Sequence, residues 1–505
     1  MRKFLIGLGV LIVLAIGGCS VLLPEKFSVN APIMNSLFGW GADAAPEDEL
    51  NQRLTLADGY QLNIYAQNLG HARIMRWTQA GDILLTTPRS GEVKLIERDA
   101  NGDRRGDGVR TLVSELNRPH GLAFHDGWLY IGETDAVARI RFDHQTGAVS
   151  GKLERVITGL PGGGNHWTRT LQKGPDGKIY VNVGSSCNVC IEEDARRATL
   201  MRFNPDGSGL EIFAEGLRNT VGFDWQPGTG DLYGVDNGRD LLGDDLPPGE
   251  LNLIEQGKFY GWPFLNGDNV PDPDFGATPD PRVAAALPPA HNFPAHVAAL
   301  SIHFLGDHAP PGLENAALVA FHGSWNRSEK QGYEIVSLHW HAGIDRKPVI
   351  ERRPFLSGFE IDEDVIGRPV DVTQGPDGAI YVTDDYAGAI YRVSYGADQT
   401  AGAQTTKARQ EQQTAAGTAA QDPGQDPEAV SRGAALWASY NCALCHDASA
   451  APAGMAVKTL EKLDTRFDAQ ALADLLAVPP ANMPAYDLSD SKKADLAAYL
   501  LATYN

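Results

Sequence analysis

The chain is 505 residues long, with 64 acidic against 43 basic side chains and a net charge of -21. So acidic a chain is a poor partner for a phosphate backbone or an anionic bilayer surface, which sets nucleic-acid binding aside. Its length calls for more than one folding unit.

In chain order, Met1-Arg2-Lys3 and the apolar run from Phe4 to Ile16 form the charged and apolar regions of a secretory signal, too short for a membrane span. Ile16-Gly17-Gly18-Cys19-Ser20 resembles a bacterial lipobox. That resemblance implies an exported lipoprotein, anchored to a membrane through a lipidated Cys19 and facing the periplasm or the extracellular side. An uncleaved N-terminal helix is the alternative, and it too leaves the bulk of the chain outside the cytoplasm. Residues 1–19 are read as the signal segment and 20–49 as a tether.

From Leu54 to about Tyr395 one pattern recurs: an Asp/Gly turn, a short apolar strand, then a small or polar cluster. The strands begin near Ile83, Leu129, Ile179, Leu232, Leu318 and Ile380. The spacing is that of four-stranded propeller blades, stretched once by the Pro- and Asp-rich insertion from Gly267 to Pro289. An all-β six-bladed propeller is expected over residues 50–396. Polar residues follow each repeated strand: Arg89, Glu133 with Thr134, Ser185 with Ser186, Asp236 with Asn237, His322, and Asp384 with Asp385. They are read as converging on one axial face, or else as turn residues that satisfy local backbone.

Three stretches carry chemistry. Gly162-Gly163-Gly164-Asn165-His166 places a candidate general base beside a glycine run that lets backbone pass close to a flat ligand. Arg218 offers a fixed fork of donors for a carboxylate or a developing oxyanion, and Asp236-Asn237-Gly238-Arg239-Asp240 offers hard oxygens suited to calcium. His322 to Arg327 and Gly367-Arg368-Pro369 add cations. Asp99, Asn101, Asp103 and Asp107 stand at positions 1, 3, 5 and 9 of a calcium-type loop, but Arg110 replaces the bidentate Glu at position 12. A structural calcium site and an Asx-rich turn both fit.

Taken together, Gly-Asn-His-Trp-Thr-Arg, Gly-Ser-Ser-Cys-Asn-Val-Cys, Gly-Leu-Arg-Asn, Gly-Asp-Asp-Leu-Pro-Pro, Tyr-Gly-Trp-Pro and His-Gly-Ser-Trp-Asn-Arg resemble the sorbosone and pyranose dehydrogenase branch of the soluble glucose dehydrogenase family. The resemblance implies a propeller that binds pyrroloquinoline quinone (PQQ) with calcium and oxidises sugars, polyols or aldehydes. By motif, His166 would take the substrate's hydroxyl proton and Arg218 would stabilise the oxygen that gains charge. Asn219, His322, Arg327 and Arg368 would hold the quinone, and backbone oxygens at Gly238 and Arg239 would bind calcium. Where better-known members use a lysine, this chain has Trp325-Asn326-Arg327.

Cys187 and Cys190 are the pair left over once the other cysteines are assigned; in an oxidising compartment they are read as a disulfide, with a reduced pair or a redox-active one as alternatives. Residues 397–428 lack aromatics and are nearly free of large aliphatics, and read as a flexible linker. Residues 429–505 then read as an all-α cytochrome c domain. Cys442-Ala443-Leu444-Cys445-His446 is a haem c attachment signal: Cys442 and Cys445 form thioethers and His446 ligates the iron. A zinc site would need a second ligand pair, which nothing downstream supplies. Met483 is the candidate sixth ligand, with Met455 as the alternative, and amphipathic helices are expected from Ala429 to Tyr440 and from Lys492 to Thr503. The expected function is a PQQ- and calcium-dependent dehydrogenase relaying electrons through its own haem c to a periplasmic cytochrome or respiratory-chain acceptor. A calcium-dependent lactonase-type propeller and a non-catalytic binding propeller are the alternatives.

Overall fold

The structure, a computed structural model, describes residues 43–306, 309–341 and 349–396, and in the C-terminal part 427–439, 442, 446, 458, 460, 462–463, 467, 469–477 and 490–504. Cys19, Cys445, Met455, Met483 and nearly all of the expected linker lie outside the described residues. The chain divides into two compact units, residues 1–400 and 401–505.

The first unit is a six-bladed β-propeller of antiparallel sheets; in blades 1 to 5 the four blade strands follow in chain order, with Thr55–Leu56 added at the outer edge of blade 5. The recurring apolar stretches are the second strands: Ile83–Thr87, Trp128–Glu133, Ile179–Val183, Leu232–Asp236, Ala316–Phe321 and Ile380–Asp384. Five of these six are buried along their whole length, because neighbouring blades cover both faces, so they read as continuous apolar runs. The first strands line the axis and are harder to see in sequence. Those of blades 1 and 3, Met75–Trp77 and Leu171–Lys173, are only three residues long. They also carry polar side chains inward. Arg76 of blade 1 reaches the Leu171 carbonyl of blade 3 and Asp371 of blade 6.

The ring closes by chain ends. Blade 6 takes Pro369–Gln374, Ile380–Asp384 and Ala389–Tyr395 from the end of the unit, and its outer strand, Tyr60–Ala66, from the beginning. Tyr60 pairs with Tyr395 and Ile64 with Tyr391. The expected tether ends in a helix rather than a coil: α1, Glu47–Arg53, buries Leu50 completely in the core shared by blades 5 and 6. Glu47 accepts from the Ile64 amide and pairs with Arg105, which ties the helix to the outer strand of blade 6 and to the 99–107 loop of blade 1. The insertion of blade 4 holds a two-stranded hairpin, Leu265–Asn266 with Val270–Pro271, and a 3-10 turn, Val283–Ala285.

The second unit contains helices α2 (Pro427–Ser439), α3 (Ala469–Ala477) and α4 (Asp490–Thr503). The two expected helices are α2 and α4, within two residues at their starts; α3 is additional. Trp437, Leu472, Leu476, Leu496 and Leu500 form the core, with Cys442 packed against it. A methyl group at Gly433 would stand 2.1 Å from the Asp495 carbonyl and 2.5 Å from Tyr499 Cβ, so glycine is what lets α2 and α4 cross in contact.

Candidate active site

In blade after blade the first strand starts where the second one ends: Thr220 lies opposite Asp236, Ala299 opposite Phe321, and Pro369 opposite Asp384. Loops entering first strands and loops leaving second strands therefore gather at one end of the axis. This register brings His166, Arg218, Asn219 and Arg368 to the same face as Ser185, Asn237, His322 and Asp385.

His166 is half-buried, and its Nδ1 lies 2.9 Å from both the carbonyl and the hydroxyl of Ser185. Nδ1–H donation to that carbonyl leaves the lone pair on Nε2. Burial, then the charge of Arg218, lowers the His166 pKa to about 3, so the ring is neutral at ordinary pH. Beneath it Arg169 is fully buried and ties the loop with bonds to the carbonyls of His166, Thr168 and Pro161. Two glycines make the approach fit. Gly164 (φ +89°) would place a methyl group 2.3 Å from the Ser186 carbonyl, and one at Gly184 would stand 2.7 Å from His166 Cβ and 2.8 Å from Asn219 Oδ1.

Arg218 is buried, and its fork is almost fully engaged. Nε donates to the Asn188 carbonyl at 2.9 Å, Nη1 to the Asn237 carbonyl at 3.0 Å, and Nη2 to Asn188 Oδ1 at 2.9 Å and Asp240 Oδ2 at 3.4 Å. Four of five hydrogens are thus directed, leaving one on Nη1. Across the axis, Asp385 binds His322 Nε2 at 2.9 Å, Arg73 Nη1 at 2.7 Å and His71 Nε2 at 3.1 Å. Burial and then Arg368 lower the His322 pKa to about 4. Arg368 donates to the carbonyls of His322 and Gly323.

Several residues here went unmarked in sequence. Arg118 lies 4.0 Å over the Trp167 ring and meets no carboxylate among the described residues; Arg73 stands 5.9 Å from the same ring. Buried polar atoms without a partner include Asn219 Oδ1, Arg73 Nε, His120 Nε2, Thr220 Oγ1 and Ser301 Oγ. Such orphans call for ordered water or a ligand.

The other candidates fall in different places. Arg327 is turned to the Asp244 carbonyl and Asp245, with a further bond to the Glu329 carbonyl, so its guanidinium braces two rim loops. Arg239 spends its side chain on Asp272 and Asp274, while at Gly238 a methyl group would press to 2.8 Å from the Pro248 carbonyl. Behind that turn Asp236 pairs in register with Glu250. In the 99–107 loop, Asp99 accepts from the amides of Gly102, Asp103 and Arg104, Asn101 from Asp103, Asp103 from Arg105, and Asp107 from Ala100. Those oxygens are occupied as in an array of Asx turns. Of the strand-end residues, Glu133 is buried and bound to Arg155 and the Asn117 amide, and Asp384 serves the turn at 386–387; both are structural. Cys187 and Cys190 form a disulfide. In the C-terminal unit, His446 Nδ1 lies 2.7 Å from the Lys458 carbonyl, and its ring is 5.9 Å from that of Trp437.

Residues 54–247 and 280–396 match the TrAA12-like family model, and residues 428–500 match that of cytochrome c oxidase, cbb3-type, subunit III. An uncharacterized protein of Borreliella burgdorferi is similar at 32% identity over 364 residues, covering 69% of this chain and 92% of that protein. The pyrroloquinoline quinone-dependent sugar dehydrogenase of Hypocrea jecorina is 24% identical over 406 residues, 68% of this chain and 89% of that one. The calcium structure of the Trichoderma reesei carbohydrate-active enzyme family AA12 shares the fold, with a TM-score of 0.59 and 22% identity over 68% of this chain and 97% of that one.

Proposed function

Because the chain belongs to the TrAA12-like family, we propose that it is a PQQ-dependent dehydrogenase of sugars, polyols or aldehydes whose electrons leave through a fused haem c. The observation that carries this reading is the pairing of a neutral His166, Nδ1 engaged and Nε2 left over, with the buried fork of Arg218. The surroundings suit a flat polycarboxylate. In a chain of net charge -21, Arg73, Arg118 and Arg368 gather at one end of the axis beside the Asn219 side chain.

PQQ, when bound, supplies the quinone carbon that accepts hydride. His166 Nε2 takes the proton from the substrate hydroxyl on the carbon that loses hydride. Arg218 turns its remaining Nη1 hydrogen to the oxygen that gains negative charge, and because its other bonds are already made it need not reorganise. Asn219 and Arg368 would hold carbonyl and carboxylate oxygens of the cofactor, while His322, whose Nε2–H is given to Asp385, keeps only an Nδ1 lone pair and would serve to fix Asp385. Backbone oxygens at Gly238 and Arg239 would hold calcium.

In the C-terminal unit Cys442 and Cys445 would attach haem c, and His446 and Met483 would bind its iron. The Lys458 carbonyl on Nδ1 supports this reading, since it orients the ring and frees Nε2 for iron. A thioether ligand keeps the iron's potential high enough to receive electrons and pass them to a periplasmic cytochrome or respiratory-chain acceptor. The protein works outside the cytoplasm, anchored by a lipidated Cys19; the Cys187–Cys190 disulfide fits that compartment.

The test is a screen of aldoses, ketoses, polyols and aldehydes for dye reduction by protein prepared without cofactor. Activity should appear only when PQQ and calcium are both added. Oxidation independent of PQQ, or none with both present, would refute the assignment.

A further inference from the structure

The loop that leaves the second strand of blade 3 touches both members of the proposed catalytic pair. Ser185 holds His166 Nδ1, and its hydroxyl also donates to the Cys187 carbonyl at 2.8 Å. Asn188, enclosed by the Cys187–Cys190 disulfide, grips Arg218 twice: its carbonyl accepts from Nε and its Oδ1 from Nη2, each at 2.9 Å. The same Oδ1 accepts from the Asp240 amide at 2.8 Å, and Nδ2 donates to the Asp240 carbonyl at 3.0 Å. One amide side chain therefore locks the guanidinium and the 237–240 turn into a single arrangement.

We propose that Asn188 is a positioning residue for the dehydrogenase reaction, and that the Cys187–Cys190 disulfide is the brace that keeps its amide on the Arg218 guanidinium. The inference rests on the oxidoreductase reading above, which gives Arg218 its task. Its physical basis is geometric. An arginine side chain has many rotamers to lose, and a fork that must meet a developing charge has to lose them before the reaction begins. Asn suits the place because it both donates and accepts. Asp would lose the donor, Gln would overshoot by a methylene, and Ala would leave Nη2 and the Asp240 amide short of an acceptor. A disulfide closing so short a loop restricts the unfolded chain little, so its contribution lies in the shape of the folded loop.

Full-length protein carrying Asn188→Ala, loaded with PQQ and calcium, should lose about 10- to 100-fold in kcat, with KM changed far less. The disulfide-free pair Cys187→Ser, Cys190→Ser should lose kcat in the same direction. Combining the two should cost little beyond the larger single loss, because both act through one contact. A readout without cofactor accompanies this: in the apoprotein labelled with [13C]histidine, the His166 titration should move upward in Asn188→Ala as the Arg218 charge leaves its place, while the melting temperature stays within a few degrees. Wild-type kcat in Asn188→Ala, an unmoved His166 titration, or losses that multiply in the combined variant would each overturn the proposal. If Asn188→Ala does not fold, the cysteine variants carry the same two measurements. A wild-type protein without PQQ-dependent dye reduction would sink the functional reading instead, and the apoprotein titration would still decide whether Asn188 holds Arg218 beside His166.

Discussion

His166 stays neutral because burial and the nearby Arg218 charge make its imidazolium costly. The sign of the pH dependence follows. A base works only when unprotonated, so activity falls as pH drops through its pKa, and a value of about 3 puts that fall far below the 6.5 of an ordinary histidine. We expect kcat/KM to remain flat from neutrality down to about pH 5 in a buffer series with the loaded enzyme. Replacing the ring, as in His166→Ala, should lower kcat by about 10²- to 10⁴-fold in the dye assay without loss of the fold; retained activity would mean that the proton goes elsewhere. Both His166 and Arg218 were readable because each sits in a short motif just before a first strand. Arg118, in Asn117-Arg118-Pro119-His120, holds the equivalent place before blade 2 but has no glycine run beside it to mark it. Its left-handed backbone (φ 50°) is a strain set by the fold and not by a local residue pattern.

Elements differ in legibility because of what covers them. Second strands are sandwiched between blades and announce themselves as apolar runs; first strands face a polar axis, and those of blades 1 and 3 are only three residues long, so their pattern is weaker. Helix α1 leaves little trace in the sequence, since its one buried side chain, Leu50, packs against blades contributed from far along the chain. The end of the second strand in blade 3 supplies a test. Gly184→Ala puts a methyl group against His166 Cβ and Asn219 Oδ1. Overpacking there should cost about 1–3 kcal/mol in denaturant unfolding. It should also lower kcat by displacing the base, whereas Gly177→Ala, in an open turn with nothing within 4 Å, should leave kcat unchanged.

At the scale of the whole molecule, the proposal is an oxidation in one unit and an electron exit in the other. The double variant Cys442→Ala, Cys445→Ala should still reduce an artificial dye but fail to reduce a cytochrome partner; parallel loss of both activities would show that the C-terminal unit does more than relay. The six-fold repeat, the Cys-x-x-Cys-His signal and the motifs around His166 and Arg218 are legible in the sequence alone, because each is a local pattern of residue type and spacing. Tertiary structure decided the rest. It joined Tyr60–Ala66 to Ala389–Tyr395 to close the ring, gathered Arg73, Arg118 and Asp385 from loops far apart in the chain, spent Arg327 on the rim, and set Asn188 on the Arg218 fork. None of these contacts has a sequence period, since in a propeller the register of closure, not the spacing of residues, determines which loops meet at the axis.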